Sequence, residues 1–393
     1  MLESASQSRK DGWSIEKPVS LFYRPSTSRE LLVPKKGGSW ELFEKHFKIR
    51  DNDDLKLLIG FMLSSLRPNG PYAVLVLQGE QGSAKSTTAN MIKKLVDPSV
   101  GSTRSLSKKE QDLFIGAKNN HLLSFDNVSL ITNDLSDSFC RLATGGSFAA
   151  RTLYTDDSET LIELCKPFIL NGITEFVSRP DLASRSIILE LPSIPENERK
   201  PLSEVMEEFE SDLPLMLGVL MDGMVSALRN KDSIQLKKMP RMADVAIWCT
   251  AAEEGLKWPS LSFLDAFENN QLSAVLNNLS VDPVAIALRS FLASLECGEW
   301  SGSGTVLMGE LAKHKPLLEF SRSWPATPSY LSGYLSRLAP NLRKVGINFA
   351  GRDRDSKQRS LILKKMGNFS EMHREEDAGS WDSRVINSRM FDV

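Results

Sequence analysis

The sequence predicts an α/β fold built on a parallel sheet flanked by helices, with a helical stretch and a small basic unit behind it. Three observations carry that expectation. Residues 72–77 form an apolar run that breaks into a glycine-containing turn and reopens as a helix with apolar residues at Met91, Ile92, Leu95 and Val96. Further short apolar runs, at 120–127, 167–171 and 187–191, have the length of buried strands. Beyond residue 200 apolar residues recur at helical spacing over three long stretches.

In chain order, residues 1–66 begin as an extended lead-in, with apolar pieces at 19–23 and 31–33 broken by Pro25, Pro34 and the Gly37-Gly38 pair. Leu42, Phe43 and Phe47, then Leu55, Leu58, Ile59, Met62, Leu63 and Leu66, predict two helices. The proline-marked turn 67–71 delivers the chain into the first strand of a core expected over 67–195.

The turn that follows is Gly79, Glu80, Gln81, Gly82, Ser83, Ala84, Lys85, Ser86 and Thr87. Gly79 and Gly82 can adopt backbone angles closed to other residues, so successive amides can turn inward around an anion. The helix that opens there adds the positive end of its dipole. Lys85 is expected to reach the β and γ phosphates of a nucleotide, and the Ser86 hydroxyl to hold Mg2+, with Thr87 as the fallback. Ala84 stands where glycine is usual; a helical first turn tolerates alanine, so the change is expected to be mild.

The run 120–127 reads as a second buried strand, and it ends in Asp126, which beside the phosphate loop is placed to bind the metal through water; a simple turn cap is the bland alternative. A helix over 137–143 leads through Gly145-Gly146 into a hairpin with the polar tip Asp156-Asp157. The strand 167–171 ends in Asn171, and a turn holding Arg179 and Arg185 precedes the last strand. Helices over 203–228, 241–256 and 263–279 fill the stretch 196–282.

Residues 283–365 read as three helices (284–295, 306–313, 327–344) and two strands about a charged turn. The tail 366–393 is polar and aperiodic, with Trp381 and Phe391 as potential anchors.

Composition excludes several classes. At 41% hydrophobic and 25% charged, the 393 residues suit a globular chain with more than one core. The first residues lack the apolar segment of a secretion signal, and no run approaches the ~20 apolar residues of a membrane span. A cytoplasmic location without membrane contact is therefore expected. Cys140, Cys165, Cys249 and Cys297 lie far apart, away from clustered histidines, so free thiols are expected rather than disulfides or zinc. Net charge is -2, yet residues 283–365 carry 13 Lys/Arg against 6 Asp/Glu, the segment where a polyanion would be met.

Phosphate loop, strand-Asp, hairpin, strand-Asn, arginine-containing turn and closing strand, in that order, resemble the core of AAA+ ATPases. TGGSFAARTLY followed by a hairpin and a strand ending in Asn is similar to superfamily-three helicases and the helicase halves of phage and plasmid primase-helicases. The resemblance spans roughly 13–363 and is strong over 72–191. It implies ATP and Mg2+ as cofactors, with Lys85, Ser86 and Asp126 holding them and Asn171 positioning the attacking water. It implies a homo-oligomeric ring, a hexamer, in which Arg185, or Arg179 second, reaches a neighbour's γ phosphate. The stretch 196–282 would be the helical lid, with Arg241 its candidate arginine. Single-stranded or forked DNA would be the partner, with a primase or replication initiator alongside, in the replication of a mobile element.

Two departures from that group matter. Asn127 stands where a second carboxylate would polarise water, which leaves Glu80 as a possible base. The hairpin tip is acidic, so Arg151 at its base and the Lys108-Lys109 pair are better placed to face DNA, with plain solvated surface charge the leading alternative for each lysine. Residues 283–365 resemble a winged helix, whose helix would offer Arg337, Arg343 and Lys344 to phosphates and whose wing would offer Arg352, Arg354, Lys357 and Arg359. A wing packed on protein is the alternative. The function expected is an ATP-driven DNA helicase or translocase. A nucleotide-switched DNA-binding or assembly protein is the second reading, favoured by Asn127 and the acidic tip, and a small-molecule kinase fits worst.

Overall fold

The computed structural model describes residues 5–16, 25–101, 103–107, 110–151, 159–173, 176–177, 179–316, 324–351 and 360–366. The chain divides into two compact units, Met1–Gln271 and Leu272–Val393.

The first unit opens with an antiparallel hairpin, β1 (Ala5–Arg9) and β2 (Gly12–Glu16), that the polar sequence did not announce. Helices α1 (Glu41–His46) and α2 (Asn52–Ser65) follow. Asp51 caps α2 by accepting from the amides of Asp53 and Asp54, and the helix is buried along nearly its whole length. Then come β3 (Val74–Gln78), α3 (Lys85–Val96), the two-residue β4 (Arg104–Ser105), α4 (Glu110–Asn119), β5 (Leu123–Asp126) and α5 (Asn133–Thr144). The hairpin strands β6 (Gly146–Arg151) and β7 (Glu159–Leu164) lead to β8 (Phe168–Asn171), α6 (Pro180–Ala183) and β9 (Ser186–Glu190). Three long helices close the series: α7 (Leu202–Asn230), α8 (Ala243–Leu256) and α9 (Ser262–Ser280).

Five strands form one parallel sheet in the order β4-β5-β8-β3-β9. The strand carrying Asp126 is not a direct neighbour of the loop strand. β8 lies between them, pairing Leu77 with Asn171 on one side and Leu170 with Phe125 on the other. Both faces are covered, which is why these strands read as unbroken apolar runs. Leu75 and Leu77 join a core with α2, α3, α7 and α8, while Val74 and Val76 point into a second core with α4 and α5. In the latter, Phe139 stacks on Phe168 with ring centroids 4.9 Å apart.

The first of these cores also joins pieces that the sequence suggests as separate domains. Phe43 and Leu58, Leu77 and Ile92, and Phe209 and Trp248 share it, so the lead-in helices, the sheet and the expected lid helices make one unit. α7 alone among the described residues is long and apolar enough to cross a membrane, and it is mostly buried here as a core helix.

A buried ion pair sets the entry of β5. Lys93 Nζ, on α3, donates to Asp97 Oδ2 at 2.6 Å and to the Leu122 carbonyl at 2.5 Å, while Asp97 accepts from the amides of His121 and Leu122. The helix that leaves the phosphate loop therefore holds the strand that ends in Asp126.

The second unit contains α10 (Pro283–Ser294), β10 (Glu299–Ser303), α11 (Gly304–Lys313), α12 (Pro328–Lys344), β11 (Ile347–Gly351) and β12 (Ser360–Lys365). Its antiparallel sheet has the order β10-β12-β11; β10, polar and glycine-containing, is a strand the sequence did not reveal. Leu276 and Leu279, from the end of α9, pack into this core with Leu288, Leu335 and Leu363, so the unit begins ahead of residue 283. The hairpin tip Asp156-Asp157, the pair Lys108-Lys109, the wing residues Arg352, Arg354, Lys357 and Arg359, and the tail from 367 lie outside the described residues.

Candidate functional site

The carboxyl ends of β3, β8 and β5 converge on the glycine loop, the place where parallel α/β sheets bind ligands. Gly79 takes φ 146° and Gly82 φ 87°, angles that favour glycine. Ala84 adopts φ 57°, ψ 24°, immediately ahead of α3. It therefore does not sit in the helical first turn, as expected, but in the left-handed region, where a Cβ costs roughly 1–2 kcal/mol.

Lys85 Nζ is folded back on the loop. It donates to the carbonyls of Gly79 at 2.8 Å and Glu80 at 2.7 Å and to Ser83 Oγ at 3.1 Å. Burial lowers its pKa while Asp126 raises it. An anion entering the loop would draw the ammonium from these neutral oxygens to charged ones, the stronger hydrogen bond.

Ser86 Oγ donates to Asp126 Oδ1 at 3.1 Å, joining residues 40 apart in sequence. Thr87, the fallback, instead lines a hollow with Asn90, Lys94, Pro98 and Met206. Asp126 Oδ1 also accepts from Asn127 N at 2.8 Å, and that same amide donates to Asn171 Oδ1 at 2.9 Å. Asn127 has φ 55°, a conformation asparagine tolerates better than most residues. Asn171 is 1% exposed, and with Oδ1 engaged its buried Nδ2 has no hydrogen-bond partner. An orphaned donor of this kind, beside a serine–aspartate oxygen pair and a glycine loop that leads into a helix, fits a phosphate with a hard cation. Among the described residues no cluster of three or more His, Cys, Asp or Glu could hold a metal, so Mg2+ here would rest on Ser86, Asp126, phosphate and water.

Glu80 and Gln81 are exposed at the loop. The segment after β9 is tied to it: Leu191 N donates to the Gln78 carbonyl at 2.8 Å and Ile194 N to that of Gly82 at 3.4 Å. Polar and aperiodic, this segment gave no sequence signal.

The two candidate arginines are both engaged elsewhere. Arg185, its side chain 13% exposed, donates through Nη1 to Asp181 Oδ1 at 2.6 Å and to the Asp181 carbonyl at 2.8 Å. Arg241 Nη2 shares that carboxylate at 2.9 Å. Arg179, 33% exposed, reaches Asp137 Oδ1 at 2.8 Å and the Asn133 carbonyl at 2.8 Å.

In the second unit Arg337, Arg343 and Lys344 lie exposed on α12. The Arg337 guanidinium sits over the rings of Tyr330 and Tyr334, 5.9 and 5.7 Å from their centroids. Tyr334 donates to Asp282 Oδ2 at 2.5 Å, and burial together with that carboxylate pushes its phenol up. Arg151 pairs with Glu159 through the backbone at the end of β6; its side chain lies outside the described residues.

A family model described as the actinomycete integrative conjugative element replication protein matches residues 46–271. A second, the C-terminal domain of the same RepA, matches 284–377. No curated protein sequence matches. Among solved structures, an apo NrS-1 C-terminal region aligns at 12% identity over 93% of this chain and 83% of that one, with a TM-score of 0.40. A JCV helicase bound to a small molecule aligns at 12% identity over 52% of this chain and 66% of that one, with a TM-score of 0.26.

Proposed function

The chain belongs to the actinomycete integrative conjugative element replication proteins, and we propose that it serves replication as an ATP-dependent DNA helicase or translocase with an AAA+ type core that works as a ring, a hexamer. The observation that carries this is the Ser86–Asp126 hydrogen bond at 3.1 Å beside the unpartnered Asn171 amide, at the mouth of the glycine loop.

In this mechanism the amides of Gly79–Ala84 and the amino end of α3 bind phosphates, and Lys85 exchanges its loop carbonyls for phosphate oxygens. Ser86 and Asp126 would hold the metal. When bound, ATP supplies the phosphoanhydride that water cleaves, and Mg2+ offsets the negative charge on its phosphates. Asn171 Nδ2 orients the attacking water. Asn127 can orient but not deprotonate, so the exposed Glu80 carboxylate is the base we assign. Arg179 and Arg185 are the residues offered to a neighbouring copy; Arg179 is the more exposed, and Arg185 would have to leave Asp181.

Three helices on a three-stranded antiparallel sheet support a winged helix in the second unit, with Arg337, Arg343 and Lys344 toward DNA. Single-stranded or forked DNA is the substrate, and a primase or initiator the functional partner. Strand separation on a forked duplex, run beside nucleotide binding, tests the proposal. Lys85→Ala should abolish nucleotide binding. Arg179→Ala or Arg185→Ala should keep binding and lose hydrolysis and unwinding; unwinding that persists in both arginine variants would sink the shared site.

A second reading, a nucleotide-switched assembly protein with little turnover, is favoured by one observation. Asn127, not a carboxylate, follows Asp126, and its amide is committed to Asp126 and Asn171. Hydrolysis measured with and without single-stranded DNA separates the two, since a motor is stimulated and a switch stays slow.

A further inference from the structure

We propose that Arg199 is a second cationic contact for the phosphates of a nucleotide in the glycine loop, supplied by the same chain that owns the loop. The inference rests on the nucleotide reading of Gly79–Thr87. It also names a residue that no motif marks, since Arg199 lies in the polar stretch between β9 and α7.

That stretch is built onto the loop. Leu191 donates to Gln78, and a Cβ on Gly79 would stand 2.5 Å from the Leu191 carbonyl oxygen, so strand end and linker are in direct contact. Three residues on, Ile194 N donates to the Gly82 carbonyl at 3.4 Å. The chain then turns through the short 3-10 segment Glu196–Glu198, and Arg199 folds back so that its Nε donates to the Ile194 carbonyl at 3.1 Å. The residue that holds Gly82 is therefore the residue that anchors Arg199.

The result is a guanidinium laid against the loop. Its Nη2 is 3.1 Å, and its Cζ 3.7 Å, from the point where a Cβ on Gly82 would stand. Glycine at 82 is what leaves room for it. With Nε occupied, both Nη groups remain to form the fork that suits phosphate oxygens. The adjacent cation is used differently: Lys200 Nζ is paired with Glu204 at 3.3 Å and Glu208 at 2.7 Å, whereas Arg199 forms no ion pair among the described residues. A cation left without an ion pair beside a glycine loop at a helix amino end raises the affinity of that loop for polyanions.

Titration of the full-length chain with fluorescent ADP and with a non-hydrolysable ATP analogue tests this without reference to turnover. Arg199→Ala should raise both dissociation constants about tenfold, the effect of one charge-assisted hydrogen bond. Arg199→Lys should recover part of the loss, and Arg199→Glu should exceed it. Thermal unfolding without nucleotide should match wild type in all three, because the side chain is exposed. Unchanged constants in Arg199→Ala, with wild type binding measurably, would overturn the role of Arg199 alone. If wild type binds neither nucleotide, the reading of the loop falls as well.

Discussion

At the scale of single residues, the backbone around the loop explains choices that composition hides. Ala84 and Asn127 are both left-handed, at φ 57° and 55°, one on each side of the Ser86–Asp126 contact. Asparagine accepts that conformation readily, whereas alanine does so at a cost. Ala84→Gly should therefore gain up to about 1 kcal/mol, read as a rise of a few degrees in Tm, the relief of the Cβ being partly offset by a freer unfolded chain. Asp54 shows a second residue-scale cost. It is 3% exposed on α2, and burial pushes its carboxyl up to about 7 against the pull of Arg50. The folded chain then holds that proton more tightly than the unfolded one. Its contribution to stability is complete below the ordinary carboxylate range and is lost as pH rises through about 7. Urea unfolding across pH 4 to 8 should show that decline in wild type; Asp54→Asn should flatten it and be the more stable protein at pH 8.

At the scale of elements, the decisive feature is the insertion of β8 between β3 and β5. It carries Asn171 to a point where one side chain touches the strand end that bears Asp126, while Gly172 N donates to Leu77 of the loop strand at 3.1 Å. The site is thus three parallel strand ends held in register, with α3 pinning β5 through the Lys93–Asp97 pair. The long helix α7 is organised by close approach as well as by its apolar face. Lys35 N donates to the Pro214 carbonyl at 2.8 Å, and a Cβ on Gly218 would meet the Lys35 carbonyl oxygen at 1.8 Å. No side chain fits there without moving backbone. Gly218→Ala should cost about 1–3 kcal/mol in chemical unfolding, the range for overpacking, while nucleotide affinity stays near wild type because the loop is not involved.

At the scale of the whole molecule, the proposed completion of the site by a neighbouring copy would make hydrolysis a property of an assembly. ATP turnover per chain should rise with protein concentration and level off once rings form. In mixtures, Lys85→Ala chains, which keep both arginines, should restore turnover to Arg179→Ala chains, which keep the loop. Sedimentation in the presence of a non-hydrolysable analogue, run over the same concentrations, reads the oligomer directly; turnover independent of concentration in a monomeric sample would contradict a shared site. Family membership gives the chain its setting, replication of an integrative conjugative element.

The residues of the candidate site could be named from sequence because the chemistry they offer is local. A strand, two glycines, a lysine and a hydroxyl must follow one another for a loop to wrap phosphate, so 74–96 announces itself. Asp126 and Asn171 stood out for a similar reason, as polar residues closing short apolar runs that the structure makes into strands. Strand order was not legible, since adjacency of β8 to both β3 and β5 depends on which apolar faces cover which, a non-local choice. Nor were β1, β2, β4 and β10, which are too polar or too short to show a period and exist only because a partner strand supplies their hydrogen bonds. Local order in the chain determined what chemistry was on offer; packing alone decided which distant residues meet, that Ser86 lies against Asp126 and that Arg199 lies against Gly82.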